Sequence, residues 1–515
     1  MSKIHLLTAL LALPIAACAV GPNYARPEAA VPTGFKTAPG WIAATPADHL
    51  DRAGWWKLFG DPVLDELAAR ATQANQSIAL ADANYRQARA VVREQRAGLF
   101  PTISLDASGV RSGSGRGNTI TTIGSGSNTG TGTTPGTGTG TGTNPGTGTG
   151  TTISTGRSGN STYRVNIGAS WEVDLFGRIR RTVENARATA DARLADLYSA
   201  QLAVQGELVT NYLSLRATDA QIDLARRTTA GYQRALQIAT NRYNAGIVAR
   251  IDVFQAQSLL ATTQSNLEGL TNDRRVLENA IAVLVGEPAG NFIIAPAPRV
   301  ATVPRVPVDL PSTLLQRRPD IAAGERAVAA ANASIGIEQS AFFPTLALSA
   351  DGGVSAGGIG GLFSSGASLW SVGASLAQTV FDFGARSARV EQARAAYDAA
   401  VATYRDTTLT AFADVENQLT AAAVLSRQQA LLQTASQAAD RSEAIVLNQY
   451  LSGQVNYTDV VTAQATALNA RVAALQNSLD RQTVAVALIQ AIGGGWDDSL
   501  LAAMPPLKSG SGPDR

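Results

Sequence analysis

Proline placement limits this chain more than any other feature. All 21 prolines avoid two long windows: none lies between Pro145 and Pro288, and none between Pro344 and Pro505. Proline removes a backbone donor and clashes with the preceding turn, so these windows are where long helices can run. Both are rich in Ala, Leu, Gln and Arg, which favour helix. In the first, Ala190, Leu194, Leu197, Val204, Leu208, Leu215 and Ile222 follow a helical spacing, with Gln201 and Asn211 at seam positions. The pattern predicts a coiled-coil-like stripe, with core packing in a plain helical bundle as the alternative. Residues 178–245 would make a helix of about 100 Å at 1.5 Å per residue. A globular domain needs nothing so long.

The two windows are copies of each other. Leu99-Phe100-Pro101-Thr102 matches Phe342-Phe343-Pro344-Thr345, and Asp174-Leu175-Phe176-Gly177-Arg178 matches the region of Phe381-Asp382-Phe383-Gly384 with a one-residue slip. Glu184-Asn185-Ala186-Arg187-Ala188 matches Glu391-Gln392-Ala393-Arg394-Ala395, and Asn241-Arg242-Tyr243 matches Asn448-Gln449-Tyr450. The offset is 243 at the Phe-Pro pair and 207 from Gly177 and Gly384 onward, so the first copy carries 36 extra residues. They fall around Gly124–Gly150, a tract of Gly and Thr that cannot bury a core and is expected to be a loop.

The elements flanking that loop alternate like strands. Val165, Ile167, Ala169, Trp171, Val173 and Leu175 share one face, and Arg164, Asn166, Ser170, Glu172 and Asp174 share the other. Ile103, Leu105 and Ala107 alternate in the same way, as do Leu346, Leu348 and Ala350, and Val372, Ala374 and Leu376 until Gln378. Such period-two runs fit barrel strands with one face to lipid and one to water, or a half-buried soluble sheet. Four strands are too few to close around an aqueous pore. If they span a membrane, several chains must share one barrel.

Composition removes most enzyme chemistry. The only histidines are His5 and His49, and the only cysteine is Cys18. A metal site built on a histidine cluster and a disulfide framework lack their parts, and His49 is the one imidazole outside the first apolar segment that a Ser-His-Asp triad could draw on, so no catalytic or metal residue is predicted. The balance of 42 basic and 40 acidic residues also gives no nucleic-acid footprint. Glycines between Gly352 and Gly361 lack a phosphate-loop lysine and suit a short loop after a strand. Arg317-Arg318 are expected to be structural.

The start of the chain points to a compartment. Lys3 precedes an apolar run from Leu6 to Ala17, the pattern of a secretory signal too short to span a bilayer. Ile15-Ala16-Ala17-Cys18 resembles the bacterial lipobox, which implies cleavage before Cys18 and a covalent lipid on its thiol; no other cofactor is expected. An ordinary signal with an incidental cysteine is the plainer alternative. Ala19 after the cysteine favours the outer membrane by analogy with bacterial lipoproteins. Removing residues 1–17 lowers the formal charge from +2 to +1. Beyond residue 18 no apolar run approaches the length of a membrane helix.

These motifs, with Gly21-Pro22-Asn23-Tyr24-Ala25-Arg26-Pro27, Trp55-Trp56-Lys57-Leu58-Phe59-Gly60-Asp61-Pro62 and Arg317-Arg318-Pro319-Asp320-Ile321, resemble the outer membrane factor (TolC-like) family, most closely its lipoprotein NodT-type branch. The resemblance covers essentially the mature chain. It implies a mainly α fold with a β-barrel part: a duplicated helix, strand, strand, long helix, helix unit. Three chains would share a twelve-stranded barrel above a hollow α-helical periplasmic cylinder, lipid-anchored at the outer membrane. Partners would be two further copies, a periplasmic adaptor, an inner-membrane pump and outer membrane lipid. The expected divisions are a signal peptide at 1–17, a lipid-anchored segment at 18–60, a first repeat at 61–287 with its loop at about 112–161, a Pro-rich connector at 288–319, a second repeat at 320–495 and a tail at 496–515. Segments near residues 40–60 and 496–515 would pack around the middle of the cylinder.

The resemblance also implies a periplasmic gate at the helix turns. Nine residues after the repeat tyrosines Tyr243 and Tyr450 stand Asp252 and Asp459. In three chains these would ring a constriction with six carboxylates, repelling one another and attracting cations. Arg250 and Tyr457 lie two residues earlier and are expected to hydrogen-bond across helices. Capping of the returning helix is the alternative for each aspartate, and packing between helices for the tyrosines. The function implied is the exit duct of a tripartite efflux system for small toxic compounds. A duct for protein secretion and a lipid-anchored structural or adhesive protein are the alternatives.

Overall fold

A computed structural model describes residues 19–29, 32, 34–36, 52–113, 159–298, 302–304 and 317–494. The expected signal peptide, Cys18, the Gly/Thr tract, residues 299–301 and 305–316 of the Pro-rich connector and the C-terminal tail lie outside the described residues. The chain divides into a sheet unit (Gly98–Asp174 with Pro344–Gln378) and a helical unit formed by the rest.

Among the described residues the sheet unit has four antiparallel strands in chain order: β1 (Thr102–Gly113), β2 (Gly159–Val173), β3 (Thr345–Ala356) and β4 (Ser368–Ala377). Its register lines up the predicted alternation across all four. Leu105 faces Ile167, Ile167 faces Gly352, and Gly352 faces Trp370. Ala169 pairs with Ile103 and Ala350, and Ala350 pairs with Val372. Because side chains alternate along a strand, these residues share one apolar face. Ser104, Gly168, Asp351 and Ser371 form one row of the opposite face, which is polar. Ile103, Leu105, Val372 and Leu376 are exposed in the single chain. β1 and β4 are edges.

The strands run slightly into the expected loop at 112–161: Arg111, Ser112 and Gly113 pair with Ser161, Asn160 and Gly159. Ladder bonds use backbone groups, so a Gly- and Ser-rich stretch can still pair. Gly352 and Gly353 likewise lie within β3, not in a loop. The turn after β3 is a short 3₁₀ helix at Ile359–Phe363.

The helical unit contains α1 (Pro62–Ala74), α2 (Gln76–Ala97), α3 (Arg178–Asn244), α4 (Arg250–Leu284), α5 (Pro319–Ser340), α6 (Ala385–Leu451) and α7 (Tyr457–Ala491). The duplication is visible in the lengths. α3 and α6 each have 67 residues, and α4 and α7 each have 35. The first copy departs from the expected unit by opening with two helices. Asp61 caps α1 through a bond from the Val63 amide, with Pro62 in the first turn. Asn75 then splits α1 from α2. Its Oδ1 accepts from the Ser77 and Ile78 amides, and its Nδ2 donates to the Leu284 carbonyl. The second copy opens with α5 alone.

α3 packs against α2, α4, α5 and α7, and α6 packs against α5 and α7. The predicted stripe on α3, from Ala190 to Ile222, is buried apart from its half-buried polar seam residues Gln201 and Asn211. The main core joins Trp55, Trp56 and Phe59 of the Arg52–Phe59 3₁₀ helix to Leu208, Tyr212 and Leu215 of α3, Ile281 of α4, Leu419 of α6 and Ile489 of α7. Each such side chain removed from water contributes about 1.5–3 kcal/mol. Buried charge ties the connector to this core. Asp219 accepts from Arg216, Arg274 and the Ala297 amide, and Arg216 donates to the Ala295 carbonyl. Arg318 is structural as expected, bonding both oxygens of Asp320 and the Ala491 carbonyl.

Candidate functional site

Each long helix ends on a glycine the backbone requires. Gly246 and Gly453 adopt φ of +73° and +78°, a region that costs other residues roughly 1–2 kcal/mol. The amides of Ile247 and Gln454 reach back to the Arg242 and Gln449 carbonyls at 2.9 Å, closing two equivalent turns. A small apolar cluster of Ala239, Ala256, Tyr450, Tyr457 and Val460 holds the two turns together, apart from the main core.

Tyr450 is its centre. Its hydroxyl donates to Asp252 Oδ2 at 3.2 Å. Its ring meets Tyr457 edge-on at 5.2 Å, and the Arg242 guanidinium lies 4.7 Å from the ring centre. Arg242 Nη1 also donates to the Tyr450 and Leu451 carbonyls, at 2.9 and 3.1 Å. One arginine of α3 thus serves the C-terminal end of α6, where unpaired carbonyls favour a cation. Burial, then the Asp252 carboxylate, pushes the Tyr450 phenol up. Burial, then neighbouring Tyr450, pushes Tyr457 up to about 12. Both remain protonated at neutral pH, and Tyr450 donates. Gln255 and Thr458 add a bond between the starts of α4 and α7, 3.2 Å from Nε2 to Oγ1.

Of the expected gate residues, the structure therefore brings Asp252, Tyr450 and Tyr457 together. Arg250 instead has its guanidinium 5.1 Å from the ring centre of Phe254, on its own helix. Tyr457 meets Tyr450 through its ring, not through the cross-helix hydrogen bond expected of it. Asp459 completes a capping box, accepting from the Asn456 amide at 3.2 Å. Tyr243 is 39 % exposed, against 3 % for its counterpart Tyr450. Sequence reasoning missed Arg242. In the repeat Arg242 aligns with uncharged Gln449, and its bonds go to backbone carbonyls.

Comparison with known proteins places this geometry. The model of the family described as Outer membrane efflux protein matches residues 67–287 and 310–494. The chain belongs to that family. It is 30 % identical over 502 residues to the solvent efflux pump outer membrane protein SrpC of Pseudomonas putida, covering 95 % of this chain and 97 % of the relative. To OprJ of Pseudomonas aeruginosa it is 28 % identical, covering 95 % of each. Among solved structures, the outer-membrane channel OprN superposes with a TM-score of 0.80 at 27 % identity, covering 93 % of this chain and all of that one. The open state of the Neisseria gonorrhoeae MtrE channel gives 0.72 at 26 %, covering 93 % and 99 %. This outer membrane efflux protein thus has the TolC-like combination of long helices and barrel strands, and its place is the outer membrane. Among the described residues no helix is long and apolar enough to cross a membrane.

Proposed function

We propose that three copies of this chain form one outer membrane exit duct, each lending its four strands to a twelve-stranded barrel while the long helices build a hollow periplasmic cylinder. The sheet carries this proposal. It has an apolar face, a polar face and two open edges at β1 and β4. Open edges are not tolerated in hydrocarbon, where no water pairs with the backbone. The smallest bacterial barrels use about eight strands, so closure needs other copies. The duct works with a periplasmic adaptor and an inner-membrane pump and passes small toxic compounds, a cargo supported by similarity to proteins named for solvent and antibiotic efflux. Cys18 carries the lipid anchor.

The helix turns form the periplasmic gate. Tyr450 and Asp252 are its latch, Tyr457 backs the latch, and Asp252 and Asp459 ring the constriction, with Arg250 and Tyr243 beside them. The mass of the detergent-solubilised mature protein by light scattering, with detergent subtracted, tests the assembly. Three chains per particle is the expected result, and a stable monomer would leave the strands with no barrel to join. For the gate, Asp252→Ala with Asp459→Ala should raise single-channel conductance and weaken cation preference. Unchanged currents would return both residues to helix capping.

A further inference from the structure

The first described residues are held by a purpose-fitted seat in the helical unit. The Val20 amide donates to the Phe176 carbonyl at 3.0 Å. The Arg181 guanidinium is buried and donates to the Val20 and Gly21 carbonyls and to Asn23 Oδ1, at 3.1–3.2 Å. Asn332 of α5 donates to the Pro22 carbonyl, and Glu325 of α5 accepts from Tyr24 and pairs with Arg26. The backbones approach so closely that a methyl group on Gly21 would stand 2.5 Å from the Gly336 Cα. Residues 20–26 therefore strap α3 to α5 in one fixed register.

The strap ends at a groove of about 710 Å³, and Val20 lines it. Its other apolar walls are Phe342 and Phe343, at the end of α5, and Val390 on α6. Gln339, Glu391 and Arg394 line it too. The walls are pre-set. Phe343 stacks on Phe176 at 4.8 Å, and Phe342 lies under the Arg386 guanidinium at 5.1 Å. Cys18 stands two residues before Val20 in the chain.

We infer that this groove receives one acyl chain of the lipid carried by Cys18, with the apolar side chains against the hydrocarbon and the polar ones beside its ester. This rests on Cys18 being lipidated as proposed above. A single acyl chain in a bilayer gives only marginal anchoring. Seating a chain in the groove ties the anchor to the helices through the strap and orients the remaining chains for the membrane.

The test is to express the full-length chain in cells fed a diazirine-bearing palmitate, irradiate, and map adducts by mass spectrometry. The expected result is an acylated Cys18 peptide cross-linked to peptides carrying Phe342–Phe343 or Val390 of the same chain. Ser387 also lines the groove. Ser387→Trp, which fills the space, should abolish that adduct, while Ser387→Ala keeps it. An acylated Cys18 cross-linked only to phospholipid would overturn the groove assignment and leave the anchor intact. Adducts on a second copy would hand the groove to the subunit interface and overturn it too. A Cys18 peptide without acyl mass would remove the anchor, and the groove's occupant with it.

Discussion

Gly177 and Gly384 open the two long helices at φ of +84° and +90°, in matching positions of the two copies. A methyl group on Gly177 would meet the Ala19 backbone at 2.7 Å, whereas one on Gly384 would meet nothing within 4 Å. The N-terminal strap covers only the first. Arg181, which grips the strap, aligns with Ala388 in the second copy. At the opposite ends of the same helices the asymmetry reverses. Tyr450 of the second copy is enclosed and bonded to Asp252, while Tyr243 of the first is half-open. The aspartates divide as well: α4 starts after Ala249, whose side chain caps nothing, and Asp252 accepts from Tyr450. α7 starts after Asn456, and Asp459 is committed to its own capping box. Duplication has preserved backbone and helix length. Contacts with segments present once, and between the copies, have given matching side chains different work.

This comparison can be broken at four points, taken from the largest effect downward. Tyr450→Ala empties the centre of the turn cluster and should cost about 3–5 kcal/mol locally, speeding amide exchange at both turns and raising conductance. Tyr243→Ala should stay within about 0.5 kcal/mol. Equal effects would erase the distinction between the copies. Arg181→Met leaves the Val20 and Gly21 carbonyls unpaired at about 1–3 kcal/mol, and limited proteolysis should then cut the strap faster. Ala388→Arg should leave that cleavage rate unchanged. Gly177→Ala and Gly384→Ala both carry the left-handed backbone cost of roughly 1 kcal/mol, but only the first also displaces Ala19. Thermal unfolding should therefore rank Gly177→Ala below Gly384→Ala.

The smallest effect is a pH dependence of the closed turns. Burial holds the proton on Tyr457 up to about 12, against 10.0 for a free phenol. Its contribution is complete below pH 10 and is lost as pH rises towards 12, because the exposed phenol ionises first. Conductance of the reconstituted channel should climb across that window, and Tyr457→Phe should flatten the climb. An identical profile in that variant would assign the effect to another group.

Much of the fold was legible because its signals are periodic. Proline-free windows and a helical stripe marked α3 and α6, and period-two alternation marked β1 to β4 with their apolar and polar faces. The break at Asn75 was missed: its side chain caps the next turn locally, and its second bond goes to the Leu284 carbonyl, 209 positions away, which no local pattern announces. At the turns, counting from the repeat tyrosines located Asp252 and Asp459 but did not distinguish them. Arg242 went unnoticed because its partners are the Tyr450 and Leu451 carbonyls. Any residue has a carbonyl, so no side-chain pattern in the sequence announces such a pairing.

By itself, the sequence determined which segments are helix and strand, which face of each is apolar, and that the whole unit occurs twice. These follow from local sterics and from spacing along the chain, which every copy of a motif inherits. Tertiary structure alone decided which copy receives the strap, which tyrosine is enclosed and which aspartate is left to accept its bond. Those outcomes depend on the three-dimensional neighbours of each residue, and two identical motifs have different neighbours wherever the chain passes only once.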